Sequence, residues 1–157
     1  MQTVVIIIDN IGSQRKVRTS GMLEILKTIG VSSRLLIISD PDKLKDHCSN
    51  LLASGTKVFI CVASASTTLP EAIAAFTNNQ RPILGVALSS DTLDYQFALS
   101  SMICMPSGVP ISFCGSDTPG LVNATLLACQ ILALSNETIT AKLNEWLIKN
   151  TRPTKKE

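Results

Sequence analysis

The chain has 157 residues; 45% are apolar, 17% are charged, and 14 basic against 12 acidic side chains leave a formal charge of +2. That length suits one domain with a sizeable core, expected over residues 1–150. So small a charge excess leaves no footprint for nucleic acid, and no apolar run is long enough to cross a bilayer.

The run TVVIIID (3–9) is continuous and β-branched, as a strand buried on both faces of a parallel sheet should be. It meets Asp9 early, without a basic leader or a small-residue cleavage site, so it reads as a strand and not as a signal peptide. From Val17 to Ile29, Met22, Leu23, Ile25, Leu26 and Ile29 recur at helical spacing, and Gly30 follows as a stop. SRLLIIS (33–39) is a second strand, and a helix over 41–54 follows at once, with Pro41 in its first turn. KVFICVA (57–63) is a third strand. Thr67 or Thr68 can cap the next helix, which carries Pro70 and Glu71 in its first turn.

PILGVAL (82–88) is a fourth strand, a short helix is expected near 92–102, and ISFC (111–114) is a fifth strand. The stretch 118–134 is helical and apolar nearly all round, so it is expected to be buried on more than one side. Ser135, Asn136 and Glu137 start a last helix running to Ile148, and TRPTKKE (151–157) is expected to be a disordered polar tail. Alternating strands and helices predict an α/β fold of three layers, α/β/α. The core is a five-stranded parallel sheet in the flavodoxin-like order 2-1-3-4-5.

The expected buried positions are Val4 to Ile8, Leu35 to Ile38, Phe59 to Cys61 and Ile83 to Val86. Leu126, Leu127, Ile131 and Leu132 are expected in the core or at a subunit contact. With Ile139, Leu143, Trp146 and Leu147 they make more apolar surface than one sheet covers, which predicts a homo-oligomer.

Five cysteines stand at 48, 61, 104, 114 and 129, an odd number with no Cys-x-x-Cys pair. Cys61 and Cys129 lie in apolar runs and act there as small hydrophobes. With one His and scattered thiols, a zinc site is not expected. The expected compartment is the cytoplasm, with reduced thiols.

A ligand should lie over the strand carboxyl ends, which the expected boundaries put at 9–16, 39–42, 62–68, 88–95 and 105–109. Arg15, Lys16 and Arg18 read first as a solvated face and second as a phosphate-attracting patch. The turn IISDPDKL (37–44) offers only Ser39, Asp40 and Asp42 for chemistry.

The order RPILGVAL (81–88), MPSGVP (105–110), NATLLACQILAL (123–134) and KLNEW (142–146) resembles the PurE family, the carboxyaminoimidazole ribonucleotide mutases of purine biosynthesis. GTKVFICVASASTTLPEAIAAFT (55–77) follows that family's third strand and helix, and PDKL (41–44) its second helix. The resemblance implies a flavodoxin-like subunit in a homo-octamer, with sites shared between subunits and a phosphorylated nucleotide-like ligand. It implies a reaction that moves a carboxylate from a ring-substituent nitrogen to the neighbouring imidazole carbon. No metal or organic cofactor takes part, and a His shuttles the proton.

The active-site motifs depart from that pattern. The family's second strand ends in Ser-Ala-His-Arg, whereas here Ser39 runs straight to Asp40, Pro41 and Asp42. The only His, His47, lies within the following helix and does not match. Gly12 and Ser13 are similar to the start of the family's first loop, but Gln14, Arg15 and Lys16 replace its acidic partner. Val62, Ser64 and Ala65 stand where the third loop carries glycines, and Thr68 stands where it carries a His. The fourth loop's Gly and Asp-Ser give way to LDYQFAL (93–99).

No catalytic residue is therefore matched. The substrate-binding candidates are Ser13, Lys16, Ser39, Asp40, Ser107 and Gly108. The expected function is that of a PurE-like protein impaired in mutase chemistry or repurposed, as a structural or regulatory paralogue or a binder of nucleotide phosphate. The alternative is an active, divergent mutase or carboxylase.

Overall fold

The computed structural model describes residues 3–38, 40–64, 68–89 and 92–150. Its elements follow one another as β1 (Val4–Ile8), α1 (Ile11–Thr19), α2 (Met22–Ile29), β2 (Ser33–Ile37), α3 (Pro41–Ala53), β3 (Val58–Ala63), α4 (Leu69–Phe76), β4 (Ile83–Ala87), α5 (Thr92–Ile103), β5 (Ile111–Ser116), α6 (Asp117–Ala133) and α7 (Glu137–Asn150). The strands form one parallel sheet in the order β2-β1-β3-β4-β5. This is the five-stranded flavodoxin-like arrangement that the alternating elements predict.

Successive strand residues point to opposite faces, and each face has its own helices. Val4, Ile6 and Ile8 join Ile60, Val62 and Val86 against α1, α2 and α6. Val5, Ile7, Phe59 and Cys61 pack on Leu44, Cys48 and Leu51 of α3 and on Leu69 and Ile73 of α4. Ala63 and Ala87 meet Ala98 and Met102 of α5. All five residues of β1 are fully buried, which accounts for their unbroken apolar run.

Several expected boundaries move. The helix expected over 17–29 is two helices. Ser20 ends α1 by donating to the Val17 carbonyl at 2.8 Å, and its hydroxyl accepts the Met22 amide at 3.2 Å. Gly21 makes the turn at φ +85°, a region closed to most side chains. α1 itself starts directly after β1, where a loop was expected. β2 is an edge strand, so Leu35 and Leu36 are only half-buried and Ile37 is 38% exposed, against the burial expected for them.

β5 starts at Ile111, as expected, and runs on to Ser116; residues 105–109 lead into it and so lie at its amino end, not at the carboxyl edge where they were expected. α6 packs on the sheet, α2 and α7; Leu132 is buried, while Leu126, Leu127 and Ile131 are half-buried against the same core. Ser39, Thr67 and the tail 151–157 lie outside the described residues.

Candidate functional site at the strand carboxyl ends

In this strand order the chain leaves β1 toward β2 on one side and enters β3 on the other. The crevice between the carboxyl ends of β1 and β3 is where such sheets take ligands. Asp9 and Asn10 stand at the end of β1. Asn10 keeps extended backbone (φ −151°) and caps α1, its Oδ1 accepting the Ser13 amide at 3.0 Å. That cap turns the chain into a helix at once and draws the Ser13 side chain inward, where it is 4% exposed.

Across the crevice, the Ser64 amide donates to Asp9 Oδ2 at 2.7 Å, and the Ser64 hydroxyl lies 3.2 Å from both carboxylate oxygens. Asn10 Nδ2 donates to Ser64 Oγ at 2.6 Å and to Asp9 Oδ1 at 3.0 Å. A carboxylate thus occupies the switch point and ties β1 to β3. The sign is wrong for an anionic ligand.

A second group covers the ends of β4 and β5. Lys16 Nζ lies 3.1 Å from Asp117 Oδ1 and also donates to the Ser89 carbonyl. The Ser89 amide donates to the same Asp117 oxygen at 3.1 Å. Partial burial would raise the Asp117 carboxyl, but the hydrogen bonds from Ser89 and Lys16 outweigh it and hold the group below its usual range. Asp117 opens α6 in the left-handed region (φ +48°), and beside it Tyr95 Oη and Ser116 Oγ pair at 2.7 Å.

The candidates separate accordingly. Ser13 and Lys16 sit on α1 at this edge, each engaged with the protein's own carboxylates. Asp40 precedes α3 beyond the edge strand β2, 3.6 Å from Lys43 Nζ. Ser107 and Gly108 lie at the opposite edge, with the Gly108 carbonyl accepting Asn79 Nδ2 at 2.9 Å. The length of β5 (about 20 Å for six residues at the usual rise) separates them from Asp117.

His47 is the seventh residue of α3 and half-buried, about 9 Å along the helix from its start. Among the described residues no group of three or more His, Cys, Asp or Glu could hold a metal ion. Sequence reasoning named the segments 9–16, 62–68 and 88–95 that hold Asp9, Asn10, Ser64, Ser89 and Tyr95 but singled out none of these residues as a site candidate, and it missed Asp117 altogether. A usable signal existed for Asn10 alone, a capping residue directly after an apolar strand.

Five parallel strands in this order, with a polar crevice over their carboxyl ends, define a flavodoxin-like α/β protein. A profile described as AIR carboxylase matches residues 3–152. The N5-carboxyaminoimidazole ribonucleotide mutase of Brucella melitensis is 37% identical over 124 residues, 77% of this chain and 75% of that protein. The mutase of Escherichia coli K12 is 34% identical over 126 residues, 78% of this chain and 73% of that protein. Among solved structures, Treponema denticola PurE superposes with a TM-score of 0.82 at 20% identity, covering 96% of this chain and 92% of that one. The chain belongs to the AIR carboxylase family, the PurE family.

Proposed function

We propose that this PurE-family chain does not perform the carboxylate transfer for which its relatives are named. It serves instead as a structural or regulatory member that holds, at most, a phosphorylated nucleotide-like ligand. One observation carries this reading: the Asp9 carboxylate, bridged to Ser64, stands between the carboxyl ends of β1 and β3. A phosphate or a carboxylated imidazole entering there meets a like charge, and Lys16, which would offset it, is paired with Asp117.

Among the described residues, no His stands at the crevice to shuttle the proton. A group titrating near neutral pH suits a step that both removes and returns a proton, and the single His of the sequence lies down α3. The subunit is cytoplasmic and acts in purine biosynthesis as part of an octamer. The apolar surface left on Leu134, Ile148, Phe97 and Ile103 supports an assembly of that kind. Within one subunit Ser107 and Gly108 are far from the crevice, so any part they take in ligand binding is at a neighbour's site.

The second reading is an active, divergent mutase, favoured by the 37% identity to a protein of that name. Turnover of carboxyaminoimidazole ribonucleotide by the purified protein separates the two. Turnover close to that of a named mutase supports the second reading.

A further inference from the structure

Three segments meet at one oxygen at the carboxyl edge of β4. Lys16 Nζ comes from α1 and the Ser89 amide from the chain just past β4; both lie 3.1 Å from Asp117 Oδ1, at the start of α6. An ammonium and a backbone amide converging on a carboxylate oxygen form the donor set that recognises small oxyanions. The Ser89 hydroxyl stands 3.4 Å from Lys16 Nζ and adds a third polar group. Lys16 also donates to the Ser89 carbonyl, which fixes the ammonium over the amide.

We propose that Lys16 and the Ser89 amide form a binding site for a small oxyanion, a phosphate or a carboxylate, that Asp117 fills from within the chain. A ligand anion enters by displacing the Asp117 side chain.

The geometry favours displacement. The Lys16 and Asp117 side chains are 45% and 37% exposed, so water reaches both partners and the anion can swing out without opening the core. Asp117 holds its place at φ +48°, a conformation that few non-glycine residues adopt. An exposed pair of this kind is held weakly, yet a tethered carboxylate competes at a high effective concentration. The inference rests on the carboxyl edge being the ligand side of this sheet, and not on whether the protein turns over a substrate.

The test is a calorimetric titration of inorganic phosphate, repeated with acetate, at ionic strength matched with potassium chloride. The proteins are the wild type, Asp117→Gly, and Asp117→Gly combined with Lys16→Met. Glycine suits the left-handed backbone and empties the site. Phosphate should bind Asp117→Gly roughly fivefold or more tightly than wild type, the gain expected from removing an exposed internal competitor. Lys16→Met should abolish that gain.

Acetate shows whether carboxylates share the site or phosphate alone is taken. Should Asp117→Gly fail to fold, Asp117→Asn keeps the side-chain shape, removes the charge and carries the same comparison. No tighter phosphate binding on loss of the carboxylate, or a gain that survives Lys16→Met, overturns the proposal. A mutase-active wild type would overturn the functional reading above and leave this titration's outcome unaffected.

Discussion

Ser64 N donates to Asp9 Oδ2 at 2.7 Å, and this bond joins the carboxyl ends of two adjacent strands that belong to different halves of the fold. The same carboxylate receives Asn10 Nδ2 at 3.0 Å and faces the Ser13 hydroxyl at 3.4 Å. At the crevice where a sheet of this order takes its ligand, a carboxylate of the chain itself bridges the two strand ends.

Asp9→Ala should therefore lower stability. The Ser64 amide would lose its acceptor in a site where Ser64 is 7% exposed, at a cost of about 1–3 kcal/mol. Asp9→Asn retains an acceptor and should cost less. Urea denaturation of the three proteins measures the order; an Asp9→Ala midpoint equal to wild type would show that the bridge contributes nothing.

The junction of β5 and α6 rests on two glycines in contact. A Cβ on Gly120 would lie 2.4 Å from the carbonyl carbon and oxygen of Gly115, both backbone atoms with no freedom to yield. Gly120→Ala should cost at least as much as ordinary overpacking, about 1–3 kcal/mol, and should displace Asp117 as α6 shifts. Gly21→Ala is the contrast, since nothing lies within 4 Å of its Cβ and only the backbone conformation is strained. Its cost should stay near 1–2 kcal/mol. Thermal unfolding ranks the pair.

Burial raises the Cys48 and Cys129 thiols from 9.0 to about 11. In the unfolded chain they ionise near the ordinary value, so above it the unfolded state holds fewer protons than the folded one. Their contribution to stability is whole below pH 9 and is lost as pH rises from 9 to 11. Denaturation midpoints should fall across that window, and Cys129→Ala should flatten the slope. Cys104, which is exposed, should be alkylated first in the native protein. Equal labelling rates for Cys104 and Cys48 would contradict the burial.

Much of the fold was legible because the buried strands carry an unambiguous pattern. VVIII, VFICVA and ILGVA are apolar at every or nearly every position, as only strands covered on both faces are. β2 was harder: SRLLI looks equally apolar at its centre, but position in the sheet decides burial, and a string of residues does not state which strand lies at the edge.

The site was less legible for a physical reason. Asp9 and Ser64 are 55 residues apart, and each alone reads as a polar residue ending a strand. Asp117 reads as a helix-start acid, yet its work is done on Lys16 and Ser89, and only the folded chain brings these together. MPSGVP was assigned to the carboxyl edge although it leads into the fifth strand at Ile111; a loop that joins a helix to the start of a parallel strand lies at the amino edge, wherever that strand ends.

The central proposal is that, among the described residues, no acid–base group stands ready to move the proton of the carboxylate transfer. The direct measurement is the rate at which purified protein converts carboxyaminoimidazole ribonucleotide to its carbon-carboxylated isomer, beside the Escherichia coli relative under the same conditions. A positioned acid–base group is worth about a hundred- to ten-thousand-fold, so the rate should be lower by roughly a hundredfold or more. A rate within about tenfold of the relative would contradict the account and assign the proton to another group at the strand ends.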